Sequence, residues 1–351
     1  MSTFKFPVIF VIIVFFFIFG CGDTGSSPFN SQAYQIDSKK HLYVVSGACY
    51  GGGVTTSAGP ANTIAKFSLT TGALENVIID YNLLAPGDSP VAIYEYDAEN
   101  ILVLVENAGG RRIDKVRKDG TGYSTHLVNA TALSAAMRSI LFLSDFSILV
   151  SKSSAIEKFN AAKARVTQGA NPFINAPAAP CATSTTLISS VIAHSSGKII
   201  YTHAAATPNN KIGVISSSGY AAGADCLNGT AAPNTTALPT RALIHSTGKL
   251  LVSYGSTTAS SNFIYSYDFN GTSGAVTNPV AVFNDNSIVN GPSSMAENTD
   301  NGDVFVANVS SAFNTIERFH FSSNLLTRAF GNTFIPYGVY TRCVADLKVM
   351  K

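Results

Sequence analysis

Two histidines in matching short segments are the side chains that most resemble a catalytic or metal-binding pair. His194 lies in Ile192–Lys198 and His245 in Leu243–Lys249, and both segments run apolar, apolar, His, Ser, Ser or Thr, Gly, Lys. Paired imidazoles can bind zinc or transfer protons. The two histidines are 51 positions apart, which is the length of the repeat described below. The spacing therefore predicts one turn element used twice, not a histidine pair in a site.

Carboxylates and arginines near predicted strands are the other candidates for chemistry. Glu95, Asp97 and Glu297 could offer oxygen ligands to a divalent cation, but the repeats do not supply a matching ring of such residues. Arg138 and Arg241 stand close to strand starts, where the planar guanidinium group could bind an acidic ligand. We therefore predict ligand binding by Arg138 and Arg241, and no catalytic residue, metal site or cofactor.

Composition and motifs exclude several classes of function. The net charge is +2 and only 13% of residues are charged, so the chain lacks the basic surface that a nucleic-acid partner requires. Gly51–Gly53 is followed by neither a helix nor the Lys-Ser or Lys-Thr pair of a phosphate-binding loop. The sequence also lacks a Gly-x-Ser-x-Gly nucleophile turn.

The N-terminal residues have the pattern that is typical of an export signal. Lys5 precedes the apolar run Phe6–Phe19, and Gly20 and Cys21 follow it. This segment resembles the lipobox of bacterial lipoproteins, although Phe19 replaces the usual small residue. The resemblance implies a signal peptide over residues 1–20 and palmitate or a related lipid on Cys21; the alternative is an uncleaved anchor. Gly22 then implies sorting to the outer membrane, with a periplasmic or surface-exposed orientation left open.

The remainder of the chain is a repeat that determines where these residues lie. One apolar strand recurs in every unit, and successive strands begin 47 to 59 positions apart. These strands are Leu42–Val45, Ile101–Val105, Ile148–Val150, Ile199–Tyr201, Leu250–Val252 and Val304–Val306. Alternating strands and Gly-containing turns lie between them. The period predicts an all-β propeller built from four-stranded antiparallel blades.

Prolines suggest how the ring closes. Pro90 and Pro239 each precede an apolar strand by 11 positions, and Pro336 lies 11 positions before Leu347. The segment Tyr337–Met350 therefore reads as the first two strands of a further unit. We therefore expect seven blades rather than six. The alternative is that the C-terminal segment completes the first blade of a six-bladed ring.

The individual repeats resemble the YVTN, NHL and lactonase-like group of propellers. Asn301–Asn308 followed by Asn314–Phe319 is similar to that group's repeat, in which a Gly turn and a Val-rich strand ending in Ala-Asn precede an Asn-Thr-Ile strand. Asn62–Gly72 is a second such match. The resemblance implies the propeller fold and also suggests an alternative function, a hydrolase with a divalent cation in its central channel.

Four cysteines remain after Cys21 is assigned to the lipid. Cys181 enters the fourth blade and Cys226 follows its outer part, so both connections lie on one face, and we predict a disulfide between them. Cys49 and Cys343 are left open as a second pair. Their pairing would favour six blades.

These observations give one domain plan and one functional expectation. Residues 1–20 form the signal peptide, 21–31 a lipidated tether and 32–351 the propeller domain. We expect a lipid-anchored, non-catalytic binding or scaffold module at the bacterial outer membrane. Its partners would be the membrane through the N-terminal lipid and a protein or envelope polymer through its loops.

Overall fold

The computed structural model describes residues 39–47, 59–107, 110–128, 133, 136–153, 155–167, 187–204, 211–216, 226–231, 237–255, 262–310 and 314–351. The predicted signal peptide and tether, with Cys21, and the residues Cys49 and Cys181 lie outside these ranges. Within them, no helix has the length and apolar character needed to span a bilayer.

The described residues form six four-stranded antiparallel sheets, which are the blades of a propeller. Each blade is given from its inner to its outer strand. Blade 1 comprises β24 (Val344–Met350), β1 (His41–Ser46), β2 (Thr63–Ser68) and β3 (Leu74–Asp80). Blade 2 comprises β4 (Ser89–Glu95), β5 (Asn100–Asn107), β6 (Gly110–Arg117) and β7 (Ser124–Val128). Blade 3 comprises β8 (Met137–Phe142), β9 (Ile148–Lys152), β10 (Ala155–Phe159) and β11 (Arg165–Val166).

The remaining three blades follow the same order. Blade 4 comprises β12 (Leu187–Ala193), β13 (Lys198–Ala204), β14 (Lys211–Ser216) and β15 (Cys226–Ala231). Blade 5 comprises β16 (Leu238–Ile244), β17 (Lys249–Gly255), β18 (Phe263–Phe269) and β19 (Val276–Phe283). Blade 6 comprises β20 (Pro292–Asn298), β21 (Asp303–Val309), β22 (Asn314–Ser322) and β23 (Leu325–Arg328). A short helix, α1 (Tyr81–Leu84), and a 3-10 turn, Val339–Thr341, lie in two connections.

The apolar strands are buried on both faces because each blade packs between two others. In β1, Leu42 and Val44 join an apolar cluster with blade 6, whereas Tyr43 and Val45 join a cluster with blade 2. Successive side chains of a strand point to opposite faces, so one strand contributes to two cores. Six such clusters, one between each pair of neighbouring blades, contain the buried apolar side chains.

The inner strands form the wall of the central channel. Each of the six contacts the inner strands of the two adjacent blades, and the series runs β24, β4, β8, β12, β16, β20 and back to β24. Each inner strand also has a register shift near its start. Such bulges redirect side chains.

The prediction of seven blades is wrong, because the C-terminal segment supplies one strand and not two. Residues before Val344 form the 3-10 turn, and Val344–Met350 pairs antiparallel with His41–Ser46. That strand is the missing inner strand of blade 1, whose other three strands come from the start of the domain. The six-bladed alternative, in which the C-terminus completes the first blade, is what the structure contains.

The cysteine predictions are only partly covered by the described residues. Cys226 begins β15, but its side chain and Cys181 lie outside the description, so the Cys181–Cys226 disulfide stays a prediction. Cys343, directly before β24, is disulfide-bonded.

Candidate functional site

A ring of buried polar side chains surrounds the axis of the propeller. Five inner strands carry a polar residue at the position that follows the bulge, and each of these residues is at most 5% exposed. They are Ser139, Ser190, Arg241, Ser294 and Asp346. Blade 2 has Ala92 at the same position.

The serines of this ring join neighbouring blades. The backbone N–H of Val191 in blade 4 donates to Ser139 Oγ in blade 3 at 3.1 Å. The N–H of Ala242 in blade 5 donates to Ser190 Oγ in blade 4 at 3.3 Å. A buried N–H without a partner would be costly, so these hydroxyls satisfy buried amides of the next blade's inner strand.

An ion pair occupies the opposite side of the ring. Arg241 Nη2 donates to Asp346 Oδ1, and Arg241 Nε donates to Ser294 Oγ at 3.2 Å. Asp346 Oδ1 also accepts from Ser294 Oγ at 3.0 Å and from the Leu347 N–H at 2.9 Å, while Oδ2 accepts from the Ile93 N–H at 3.0 Å. The carboxylate thus has four donors, and the side chains of Arg241 and Asp346 are only 6% and 2% exposed.

A cavity of about 180 Å³ lies next to this ion pair. Tyr94, Ser190, Arg241 and Lys348 are among its lining residues. Lys348 Nζ lies 5.5 Å from the centroid of the Tyr94 ring. Burial lowers the pKa of Lys348, the charge of Arg241 lowers it further, and Asp346 opposes both effects. Among the described residues, no carboxylate forms an ion pair with Lys348.

The structure separates the two arginines that the sequence predicts as ligand-binding residues. Arg241 borders the channel cavity, and its guanidinium group is held by Asp346 and Ser294. Arg138 lies on β8 one position before Ser139, is partly buried, and is not part of that network. Ligand binding by Arg138 and Arg241 therefore stays a prediction.

The carboxylates considered as cation ligands do not converge. Glu95 accepts from Lys118 Nζ at 2.5 Å, and Asp97 accepts from backbone N–H groups of its own turn. Glu297 accepts the Ser246 N–H through both oxygens, at 3.0 and 3.1 Å. In the part of the chain that the structure describes, no group of three or more histidine, cysteine or acidic residues could hold a metal ion.

The two matching histidines have the predicted structural role. His194 packs edge to face on Phe269 of blade 5 at 4.7 Å, and His245 packs in the same way on Phe321 of blade 6 at 4.8 Å. In both, Nδ1 accepts the backbone N–H of the residue two positions later, at 3.1 and 3.2 Å. The interpretation of one turn element used twice is confirmed.

One surface site was not predicted from the sequence. A groove of about 450 Å³ lies between the turn that joins β8 to β9 and the turn that joins β12 to β13. Its lining includes Phe142, Ser144, Asp145, His194 and Ser195. Phe146, which follows the lining residue Asp145 in the same turn, is 62% exposed. An alignment of this turn with the turns of blades 4 and 5, which have glycine at the equivalent position, is the sequence signal that could have identified Phe146.

No protein-family model matches the sequence, and no curated protein matches it. Solved structures do match. A chain of the nidogen/laminin complex superposes with a TM-score of 0.60 at 10% identity, over 89% of this chain and 98% of that chain. A protein from Lactobacillus plantarum gives 0.56 at 13% identity, over 85% and 83%.

A gluconolactonase from Xanthomonas campestris is also similar. Its TM-score is 0.51 at 14% identity, over 84% of this chain and 87% of that chain. Similarity at this level of identity extends to the fold and not to activity. The chain is therefore a β-propeller, and the solved structures that share this fold include a gluconolactonase and a chain of the nidogen/laminin complex.

Proposed function

We propose that this protein is a lipid-anchored, extracytoplasmic β-propeller that binds another macromolecule or envelope component without chemistry of its own. The lipoprotein-type signal ending at Cys21 supports the anchor, and Gly22 supports sorting to the outer membrane. The rigid six-bladed ring supports a binding role, because it presents many loops on a fixed scaffold.

The set of hydrogen-bond donors around the Asp346 carboxylate is the observation that supports a non-catalytic function. A Ca²⁺ centre needs six to eight oxygen ligands, and a lactonase-like hydrolase would gather them at the axis. Here Arg241 places a cation beside the axial carboxylate, three donors including Arg241 converge on Oδ1, and the Ile93 N–H donates to Oδ2. This donor set does not fit a divalent cation.

Metal content and lactone hydrolysis test the choice between binding and hydrolysis. We expect dialysed protein to retain no stoichiometric divalent cation and to hydrolyse gluconolactone no faster than buffer does. Asp346→Asn should leave both results unchanged, apart from lower stability. One equivalent of bound cation, together with lactone hydrolysis that chelation abolishes, would establish the hydrolase alternative instead.

Labelling with palmitate tests the anchor. We expect the wild-type protein to incorporate label and to fractionate with the outer membrane. Cys21→Ala should remove the label and release a soluble or mislocalised precursor, whereas Cys226→Ala serves as a control that keeps Cys21. Membrane association of Cys21→Ala, with no label on the wild type, would contradict lipidation.

A further inference from the structure

Phe146 occupies a position that other blades reserve for glycine. The turn between the first two strands of blade 3 is closed by the Phe146 N–H, which donates to the Leu143 carbonyl at 2.9 Å. Gly197 and Gly248 make the same closing bond in blades 4 and 5, at 2.9 and 2.8 Å. These two glycines have φ of +81° and +83°, and Phe146 has φ of +62°. A bulky residue in this left-handed conformation is strained.

The strained residue also exposes its ring. The Phe146 side chain is 62% exposed, so burial does not offset the strain. The ring lies 6.1 Å from that of Phe142, which in turn lies 4.9 Å from that of Tyr96 in blade 2. Lys163 Nζ lies 5.7 Å from the Tyr96 and Phe142 rings. The three aromatic side chains thus form a row, in which the middle ring, Phe142, lines the groove and Phe146 follows the lining residue Asp145.

Hydrogen-bonding groups line both sides of the groove. Ser144 and Asp145 lie on the same turn as Phe146, and Ser195 lies on the facing turn of blade 4. The His194 ring packs on Phe269 of blade 5, and its Nδ1 accepts the Ser196 N–H. The exposed hydroxyls of Ser144 and Ser195 make no hydrogen bond within the described part of the chain.

The charge of the groove favours an uncharged ligand. Asp145 is the acidic residue of its lining, and Lys158 Nζ lies 3.6 Å from Asp145 Oδ2. Neither lysine nor arginine is among the described lining residues. The volume lies within the range of about 300 to 1,000 Å³ that is usual for ligand sites.

From these features we infer that the groove binds a short segment of a neutral glycan. The apolar face of a sugar ring would stack on Phe146, and sugar hydroxyls would bond to the serine hydroxyls of both turns and to Asp145. This inference rests on the proposed binding function and specifies the chemical class of its ligand.

An array of neutral hexasaccharides of glucose and of N-acetylglucosamine tests the inference, with a hexamer of galacturonate as the acidic comparison. We expect the full chain to bind at least one neutral hexamer, and Phe146→Gly to weaken binding about tenfold or more, equivalent to about 1.4 kcal/mol. Phe146→Gly should fold, since glycine is native at this turn position in blades 4 and 5. Phe146→Tyr, which keeps the ring, should bind within about twofold of wild type.

Tyr337→Ala is the matched control, because Tyr337 is exposed to a similar extent, 54%, and lies outside the groove. It should leave binding unchanged. Failure of every neutral hexamer to bind, preference for the acidic hexamer, or equal binding by Phe146→Gly would each overturn the glycan ligand. The palmitate labelling and the metal and lactone assays do not depend on these results. They test the proposed function, whereas the array tests the glycan ligand, so the two failures can be told apart.

Discussion

Replacing Asp346 with asparagine would leave the Arg241 guanidinium buried beside a neutral amide. Both side chains are almost fully inaccessible, 6% for Arg241 and 2% for Asp346, so water cannot take the place of the lost carboxylate. Breaking a buried ion pair by removing one partner lowers stability by about 3 to 5 kcal/mol. With an unfolding entropy of about 2.1 cal/mol/K per residue over about 310 residues, this corresponds to a fall in Tm of about 5 to 8 °C.

Two further variants separate the buried charge from general effects of substitution. Asp300→Asn removes the partner of Lys40, whose Nζ lies 2.6 Å from Asp300 Oδ1, but the Asp300 side chain is 66% exposed. We expect this control to lower stability by less than about 1 kcal/mol. The Arg241→Met, Asp346→Asn double variant should be more stable than Asp346→Asn alone, because no unpaired charge remains. Calorimetry that finds Asp346→Asn and Asp300→Asn equally stable would refute the reasoning.

Three other variants or mappings test particular residues. Phe146→Gly should raise stability by up to about 1 kcal/mol, because it relieves left-handed strain. Gly248→Ala, with open space around the new Cβ, should lower stability by about 1 to 2 kcal/mol. Urea unfolding that gives the opposite sign for either variant would contradict this. Burial lowers the pKa of Lys348, so the unfolded chain keeps this proton at a higher pH than the folded chain. Wild-type stability relative to Lys348→Met should therefore rise from neutral pH towards 10.5, and a flat difference contradicts the assignment. Cys343 should pair with Cys49, because the backbone N–H two residues before Cys49 donates to the Cys343 oxygen at 3.2 Å; peptide mapping that links Cys343 to another cysteine refutes it.

Much of the fold followed from periodicity in the sequence. The recurring apolar strands were identifiable because each is buried on both faces between blades, as Leu42 and Tyr43 show. Ring closure was not identifiable from the same signal. A C-terminal half-unit looks alike in sequence whether it starts a new blade or completes the first one, and only the pairing of Val344–Met350 with His41–Ser46 decides between them.

The candidate site shows the same division between local and long-range information. The common role of His194 and His245 was predictable, since it depends on a turn of a few residues repeated at a fixed spacing. The partner of Arg241 was not, because Asp346 is 105 positions away and meets it only when the ring closes. Phe146 was overlooked because an exposed aromatic residue attracts no notice until its turn is aligned with the glycines of other blades.

Fluorescence of a Phe146→Trp variant is the most direct test of binding without chemistry. The chain has no tryptophan, so this substitution places a single reporter at the groove. We expect addition of the best neutral hexasaccharide to give a saturable blue shift that stays constant over hours, because the ligand stacks on the ring and is not consumed. A blue shift that decays while the hexasaccharide is cleaved, or the absence of any shift, would contradict the account.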